Sequence, residues 1–434
     1  MNITIFGVGY VGLITGACLA SLGHKIICVD IDKDKIELLK AGKIPFYEPG
    51  LAELVHQNMK KGSLTFSTNA AEAVSFGEVI FNCVNTPSNS DCSANLQYVF
   101  SVAKTIGENI NEYKVIVNKS TVPPGTTRKT AEIIAEHSRK EISFDVVANP
   151  EFLREGNAIR AFNYPDKIVI GTDSEKAITI MRRVYSGRMR TYLPIVETDW
   201  ETAETIKYAN NTFLATKISF INEMANICDR VGADIKIVSM ALGLDYRISP
   251  RFLNPGVGYG GSCFPKDVKA LITTAKQHGY TASLFEEVDA LNERQKKIMV
   301  NKIVEKFTDL TGKTFTVLGL SFKPKTNDMR EAPSINIITE LLSLGAAVKV
   351  YDPCAMEDAK KIFEDKISYC SSVEEAAQQS NALIVVTEWD EFRSINFAEL
   401  GRVMKDKIVF DGRNIYEPEL VRDEGFEYIG MGRK

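Results

Sequence analysis

The chain has 434 residues, 44% hydrophobic and 25% charged, with a formal net charge of -4, a length that exceeds one ordinary core and suggests two or three domains. So slight an acidic balance gives no basic field for nucleic acid or an anionic membrane, and an anionic ligand must be met by local donors. Eight cysteines scattered without a Cys-x-x-Cys pair argue for a reducing compartment and against a zinc or other metal site. No stretch reaches the roughly 18 apolar residues of a spanning helix, and the apolar start Met1-Asn2-Ile3-Thr4-Ile5-Phe6 lacks the basic flank of an export signal. These features predict a cytoplasmic protein.

Residues 2–30 read as strand, glycine turn, helix, strand: Ile3-Thr4-Ile5-Phe6, then Gly7-Val8-Gly9-Tyr10-Val11-Gly12, a helix to about Leu22, and Lys25-Ile26-Ile27-Cys28-Val29-Asp30. Gly-x-Gly-x-x-Gly is common by chance, but here it follows a strand, opens a helix and is trailed by an acid at the end of the next strand. Gly7 would permit the tight turn, Gly9 the approach of a pyrophosphate and Gly12 the packing of helix on strand. Asp30 would hold ribose hydroxyls and repel a 2′-phosphate, which selects NAD over NADP. Further buried strands end in Asn85-Thr86-Pro87 and in Ser120-Thr121-Val122-Pro123-Pro124-Gly125. The carboxyl ends of parallel strands are where ligands bind, so Thr86 and Thr121 are placed to touch the cofactor, although a plain turn role would explain either.

From Asp199 to Val231 there is neither proline nor glycine, and the pattern predicts a long helix on which Lys207 and Asn211 share one face. On their own such a pair would be a solvated face. With the chain to about Val300 this makes a helical middle section, a common place for a subunit interface. Thr314–Leu320 then opens a second α/β rhythm with strands at 348–353, 382–387 and 407–411. Its turn, Gly319-Leu320-Ser321-Phe322-Lys323-Pro324, lacks the glycine spacing and offers a lysine, which suggests a different phosphate-bearing ligand. The expected fold is α/β, with two Rossmann-like doubly wound domains, 1–198 and 306–434, joined by a helical region, 199–305. Two nucleotide-binding domains of this kind would bring two ligands to one cleft.

The loop Gly258-Tyr259-Gly260-Gly261-Ser262-Cys263-Phe264-Pro265-Lys266-Asp267 delivers one cysteine beside a lysine and an aspartate. A thiolate is the nucleophile a cysteine supplies, and a nearby cation or dipole favours it. Most free cysteines are merely small buried hydrophobes, so the NAD-type turn gives this one its meaning. A thiolate adds to an aldehyde, hydride loss leaves a thioester, and water releases an acid. None of the four histidines lies in a motif. Proton transfer therefore falls to Lys207, Asp267, Glu151 or a water they hold, while Lys207 and Asn211 could stabilise an oxyanion.

With these segments, and with Asn149-Pro150-Glu151-Phe152-Leu153-Arg154-Glu155-Gly156 and Asp328-Met329-Arg330-Glu331, the chain resembles the UDP-glucose/GDP-mannose dehydrogenase family in order along nearly its whole length. The resemblance implies two NAD-dependent oxidations at C6 of UDP-glucose through a covalent Cys263 adduct, with GDP-mannose or another nucleotide sugar as the alternative substrate. A binder without turnover is a further alternative, against which Cys263, Lys207 and Asp267 weigh. By the same resemblance Lys207, Asn211 and Asp267 assist proton transfer and oxyanion stabilisation, with Thr121 and Glu151 around the reacting carbon. NAD would meet the turn Gly7–Gly12 with Tyr10 and Val11, and Asp30, Lys35, Thr86, Thr121, Glu155, Lys266 and Arg330. The nucleotide sugar would meet Glu151, Phe152, Leu153, Arg154, Glu155, Lys207, Asn211, Phe252, Leu253, Asn254, Pro255, Gly256, Gly260 and Lys323. Arg247 would reach a neighbouring subunit's site, which implies a homodimer or higher homo-oligomer.

Overall fold

Short buried runs of β-branched residues bounded by glycine turns become parallel strands in two separate sheets. The computed structural model describes residues 1–186 and 194–433, in two compact units, Met1–Asn210 and Asn211–Lys434.

In the first unit the strands are β1 (Asn2–Phe6), β2 (Lys25–Val29), β3 (Leu64–Ser67), β4 (Val79–Asn82), β5 (Lys114–Asn118), β6 (Phe144–Ala148), β7 (Ile168–Gly171) and β8 (Ile195–Thr198). Their order is β3-β2-β1-β4-β5-β6-β7-β8, parallel except where β7 meets β6. Ile5, Leu13, Phe81 and Val117 pack in one apolar layer, and Phe6, Ile80, Ile116 and Ile106 in another. Near-continuous apolar strands are what a doubly covered parallel sheet requires. The order reverses between β1 and β4, so the carboxyl ends of these strands form a switch point, the place where such sheets bind ligands.

The second unit holds β9 (Thr314–Leu318), β10 (Ala347–Tyr351), β11 (Ser368–Tyr369), β12 (Ala382–Val385), β13 (Ile408–Asp411) and β14 (Glu427–Gly430). They run in the order β11-β10-β9-β12-β13-β14, every pairing parallel. This repeats the strand order of the first six strands of the other sheet. The unit also contains the helices Ile235–Leu244, Phe264–Gln277 and Ser283–Phe307, with Ala215, Tyr259, Val268 and Val288 in a shared apolar cluster.

The long helix spans Trp200–Val231, and Asp199 caps it by accepting the Thr202 N–H at 2.7 Å. The expected α/β class, with two doubly wound sheets and a helical region led by a long helix, is what the chain adopts. Among the described residues no helix is long and apolar enough to cross a membrane.

Candidate active site

β1 runs into a buried glycine turn. Gly7 has φ +89, and a Cβ at Gly12 would stand 1.8 Å from the Gly7 carbonyl oxygen. Helix Tyr10–Ser21 can therefore pack directly on the strand end only because residue 12 has no side chain. Gly9 is its N-cap and makes no side-chain cap bond, which leaves the N-terminal amides to an anion such as a pyrophosphate. Beyond β2, Asp30 accepts the Val8 N–H at 2.9 Å and the Asp32 N–H at 3.1 Å, with Lys35 Nζ 3.6 Å away. The acid is thus pinned to the turn while its side chain keeps 13% exposure, a carboxylate edge suited to ribose hydroxyls. These residues fit NAD, which when bound supplies the hydride acceptor.

Tyr10, inside the turn, donates to Glu48 Oε2 at 2.5 Å, and the same carboxylate accepts the N–H groups of Gly156 (2.6 Å) and Ala158 (2.8 Å). Glu48 went unnoticed in the sequence, yet it ties the cofactor turn to the segment that follows β6. Glu155 lies close enough for its charge to help raise the Tyr10 hydroxyl, after burial and the Glu48 hydrogen bond. Thr86 and Thr121 do come together, but through the turn itself: Thr86 Oγ1 donates to the Thr121 carbonyl at 2.9 Å. Ser120 Oγ similarly donates to the Val84 carbonyl at 2.6 Å.

Glu151 is buried and paired with Lys207, whose Nζ donates to Oε1 at 2.8 Å; the Leu153 N–H donates to Oε2 at 2.5 Å. Burial pushes this carboxyl up. The charge and hydrogen bond of Lys207, the Leu153 N–H and the charge of Lys119 outweigh it, so the group sits below the ordinary glutamate value. As the cation of a buried pair, Lys207 is a donor suited to a developing oxyanion. Phe152 lies 5.3 Å from Lys207 Nζ, ring centre to nitrogen. Arg154 instead points outward into an exposed ion pair with Asp166.

In the second unit the glycine-rich loop is buried and held from several sides. Gly256 N–H donates to Asn222 (2.8 Å), Tyr259 N–H to Asn292 (2.8 Å) and Gly261 N–H to the Arg330 carbonyl (2.8 Å). A Cβ at Gly260 would come within 2.3 Å of the Glu331 carbonyl oxygen, so the loop can follow that segment only as glycine. It delivers Cys263 to the N-cap of helix Phe264–Gln277, with Ser262 Oγ 3.5 Å from the sulfur. A helix N-terminus favours an anion at this position. One turn on, Asp267 is 1% exposed and accepts from Lys266 Nζ at 2.7 Å and Asn211 Nδ2 at 2.6 Å.

The remaining candidates of this unit differ in how they are held. Phe252 is exposed at 39%, its ring 6.4 Å from that of Phe264. The Leu253 carbonyl accepts from Ser239, Asn254 is exposed and Pro255 is buried. Lys323 follows β9, with its carbonyl bonded by Ser321 Oγ at 2.9 Å. Arg330 forks onto Asp328, and Arg247 is an exposed residue forked onto Asp245. Arg413, also missed in the sequence, donates to the carbonyls of Val386 (2.7 Å) and Phe322 (3.4 Å), and its NH1 would lie 2.9 Å from a Cβ at Gly256. It thereby joins the sugar-loop candidate Gly256 to the turn bearing Lys323.

A doubly wound sheet carrying an uncapped glycine turn and a pinned acid, in a chain that also presents a cysteine at a helix N-terminus, defines an NAD-dependent dehydrogenase. Residues 1–188, 201–294 and 316–418 match the NAD binding domain, the central domain and the UDP binding domain of the UDP-glucose/GDP-mannose dehydrogenase family, and the chain belongs to that family. It is 45% identical to the UDP-glucose 6-dehydrogenase TuaD of Bacillus subtilis (100% of this chain, 93% of the relative). Identity is also 45% to the UDP-glucose 6-dehydrogenase of Rhizobium meliloti, covering 100% of both chains. Among solved structures it resembles a UDP-glucose dehydrogenase from Pyrobaculum islandicum, with a TM-score of 0.93 at 36% identity over 100% of this chain and 98% of the other.

Proposed function

We propose that this chain oxidises UDP-glucose at C6 to UDP-glucuronate in two NAD-dependent steps, holding the aldehyde on Cys263 between them. The observation that carries the reading is Cys263 at the head of helix Phe264–Gln277, one turn from a buried Asp267 that accepts from Lys266 and Asn211. A protein that only bound nucleotides would need neither the thiol nor the proton-handling groups beside it. Likeness over the full chain to relatives named UDP-glucose 6-dehydrogenase supports the substrate.

In the first step a base takes the C6 hydroxyl proton as hydride leaves that carbon. Glu151, held ionised by Lys207, and a water it orients serve as acceptor. As the Cys263 sulfur then bonds to the aldehyde carbon, Asp267 takes the thiol proton, giving a thiohemiacetal whose oxyanion is stabilised by Lys207 and Asn211. Loss of the second hydride leaves a thioester; water attacks it, the carbon–sulfur bond breaks, and Asp267 returns a proton to sulfur. The turn Gly7–Gly12 with Asp30 and Lys35 holds the cofactor, aided by Glu155, Lys266 and Arg330. The loop Phe252–Gly256, Gly260 and Lys323 holds the nucleotide sugar, together with the segment Glu151–Glu155.

We read the chain as a cytoplasmic homo-oligomer with domains 1–198, 199–305 and 306–434. Phe213, Phe220 and Ile227, 64%, 49% and 44% exposed, recur every seventh residue on the long helix, the spacing of a helix that pairs with a second copy. A partner would also give Arg247 a site to reach. Light scattering should return at least a dimer, and Phe220→Asp should lower the mass.

Counting NADH released per UDP-glucose consumed tests the chemistry. Two supports the proposal, one indicates an enzyme that stops at the aldehyde, and none indicates a binder. Cys263→Ser should retain UDP-glucose and NAD binding yet lose UDP-glucuronate formation; unchanged formation rules out the covalent route. A substrate panel including GDP-mannose decides the nucleotide sugar.

A further inference from the structure

Beneath Thr121 the first unit holds a small cavity of ≈ 10 Å³ lined by Asn118, Ser120, Thr121, Thr127, Glu204 and Lys207 among others. That is about the volume one water needs, given polar walls. Glu204, only 3% exposed, accepts three hydrogen bonds there: the Gly125 N–H on Oε2 (2.7 Å), and the Thr127 N–H (2.7 Å) and Thr127 Oγ1 (2.6 Å) on Oε1. It thereby clamps the turn that ends Pro123-Pro124-Gly125 and opens helix Thr126–His137.

Asn118 supplies a second, independent observation. The Thr127 hydroxyl proton goes to Glu204 and that of Thr130 to the Thr126 carbonyl. Both hydroxyls can therefore only accept from Asn118, at 3.2 and 3.0 Å, which fixes its NH2 toward them. Asn118 Oδ1 is then left buried, in a side chain 2% exposed, with no protein partner among the described residues. A buried carbonyl of this kind calls for a donor.

We propose that Glu204 is a positioning residue for the dehydrogenase reaction: with one ordered water bonded to Asn118 Oδ1, it locks the Thr121 turn and the Lys207 side chain, one helical turn away, into a single hydrogen-bonded frame. The inference rests on the reading that Thr121 and Lys207 serve the reaction. The ionised carboxylate accepts all three donors with its full charge. Protonation on Oε2, which takes only the Gly125 N–H, removes that charge and weakens the hold on the turn. Burial, opposed by the Thr127 and Gly125 donors and aided by the charge of Glu201, raises this carboxyl to about 7. Lys207, with its partner Glu151, lines the same cavity, and Arg128, next to Thr127, pairs with Glu201, while Lys119, just after β5, is turned to Asn149.

The test uses the full chain with UDP-glucose and NAD. In wild type, kcat should fall as pH drops through about 7. Glu204→Gln, which puts an NH2 against the Gly125 N–H, should lose roughly 10- to 100-fold in kcat above that pH and show no acid limb in that interval. Glu204→Asp should recover part of the rate. If Glu204→Gln does not fold, Thr127→Val removes one donor and should move the acid limb to higher pH. A wild-type kcat and acid limb in Glu204→Gln, an unmoved limb in Thr127→Val, or a dry cavity in a high-resolution crystal structure each overturns the proposal. Full turnover in Lys207→Ala would instead sink the underlying role of Lys207, which separates the two failures.

Discussion

The two sheets open with the same device and use it oppositely. β1 and β9 are each followed by a glycine with φ near +90, Gly7 at +89 and Gly319 at +91, and β2 and β10 are each followed by an aspartate. Asp30 takes two backbone N–H groups and keeps an exposed edge. Asp352 is 1% exposed and accepts from the backbone of Leu320, Ser321, Cys354 and Ala355 and from Trp389 Nε1. One acid is left available to a ligand, and the other is consumed in holding its own turn shut. The same strand order therefore does not imply the same ligand, and the lysine-bearing turn after β9 belongs to the UDP binding domain rather than to a second dinucleotide site.

The largest expected difference is in stability. Asp352→Ala strands several buried donors and should cost about 3–5 kcal/mol, the scale for breaking a buried charge network. Asp30→Ala should cost less, because it strands only the Val8 N–H, while the exposed Asp32 can turn to water. Urea melts of both variants check the contrast; equal losses would break it. Asp30→Ala should act on the cofactor instead, raising KM for NAD about 10- to 100-fold, the worth of a hydrogen bond to a charged group, and narrowing the preference over NADP. Asp352→Asn, by contrast, should leave KM for NAD unchanged wherever the protein still folds.

Much of this was legible because it is local. Gly-x-Gly-x-x-Gly with Asp30, the buried runs that became β1, β4, β5, β9 and β12, and the cysteine loop all lie within short windows. Strands such as β11, two residues long, and the half-exposed β8 carry too little pattern to be read. Glu48, Glu204 and Arg413 were missed for another reason. Glu48 meets Gly156 and Ala158 across 108 and 110 residues, and Glu204 meets Thr127 across 77. Nothing in a window around either acid records its partner. The sequence places Thr86 where a cofactor binds but does not show that its hydroxyl donates to the Thr121 carbonyl, a bond that leaves its lone pairs able to accept.

Two carboxyls within the first unit extend the contrast to pH. Glu151 is lowered by its pairing, so its contribution to stability is present above the ordinary glutamate value of 4.5 and is lost as pH falls through its folded value. Glu204 is raised to about 7. Between 4.5 and about 7 the folded chain keeps a proton that the unfolded chain has lost, so this group's contribution declines as pH rises. Melts of Glu204→Gln against wild type should differ in slope over that interval, and parallel curves would contradict the assignment.

The smallest effect belongs to Lys35. It stands 3.6 Å from Asp30 and 3.7 Å from Asp32 with its side chain 32% exposed, whereas the residue at the same distance beyond Asp352 is the acid Glu357, turned to Lys360. A half-screened pair of this length contributes less than about 1 kcal/mol, so Lys35→Ala should barely move the urea midpoint. If the lysine serves to keep a cation beside Asp30, the acid proposed to hold ribose, KM for NAD should still rise severalfold, and more at low salt than at high, because screening weakens exposed charges. Glu357→Ala should change neither quantity. A Lys35→Ala enzyme with unaltered KM at every salt concentration would leave Asp30 as the sole charged determinant of the first turn.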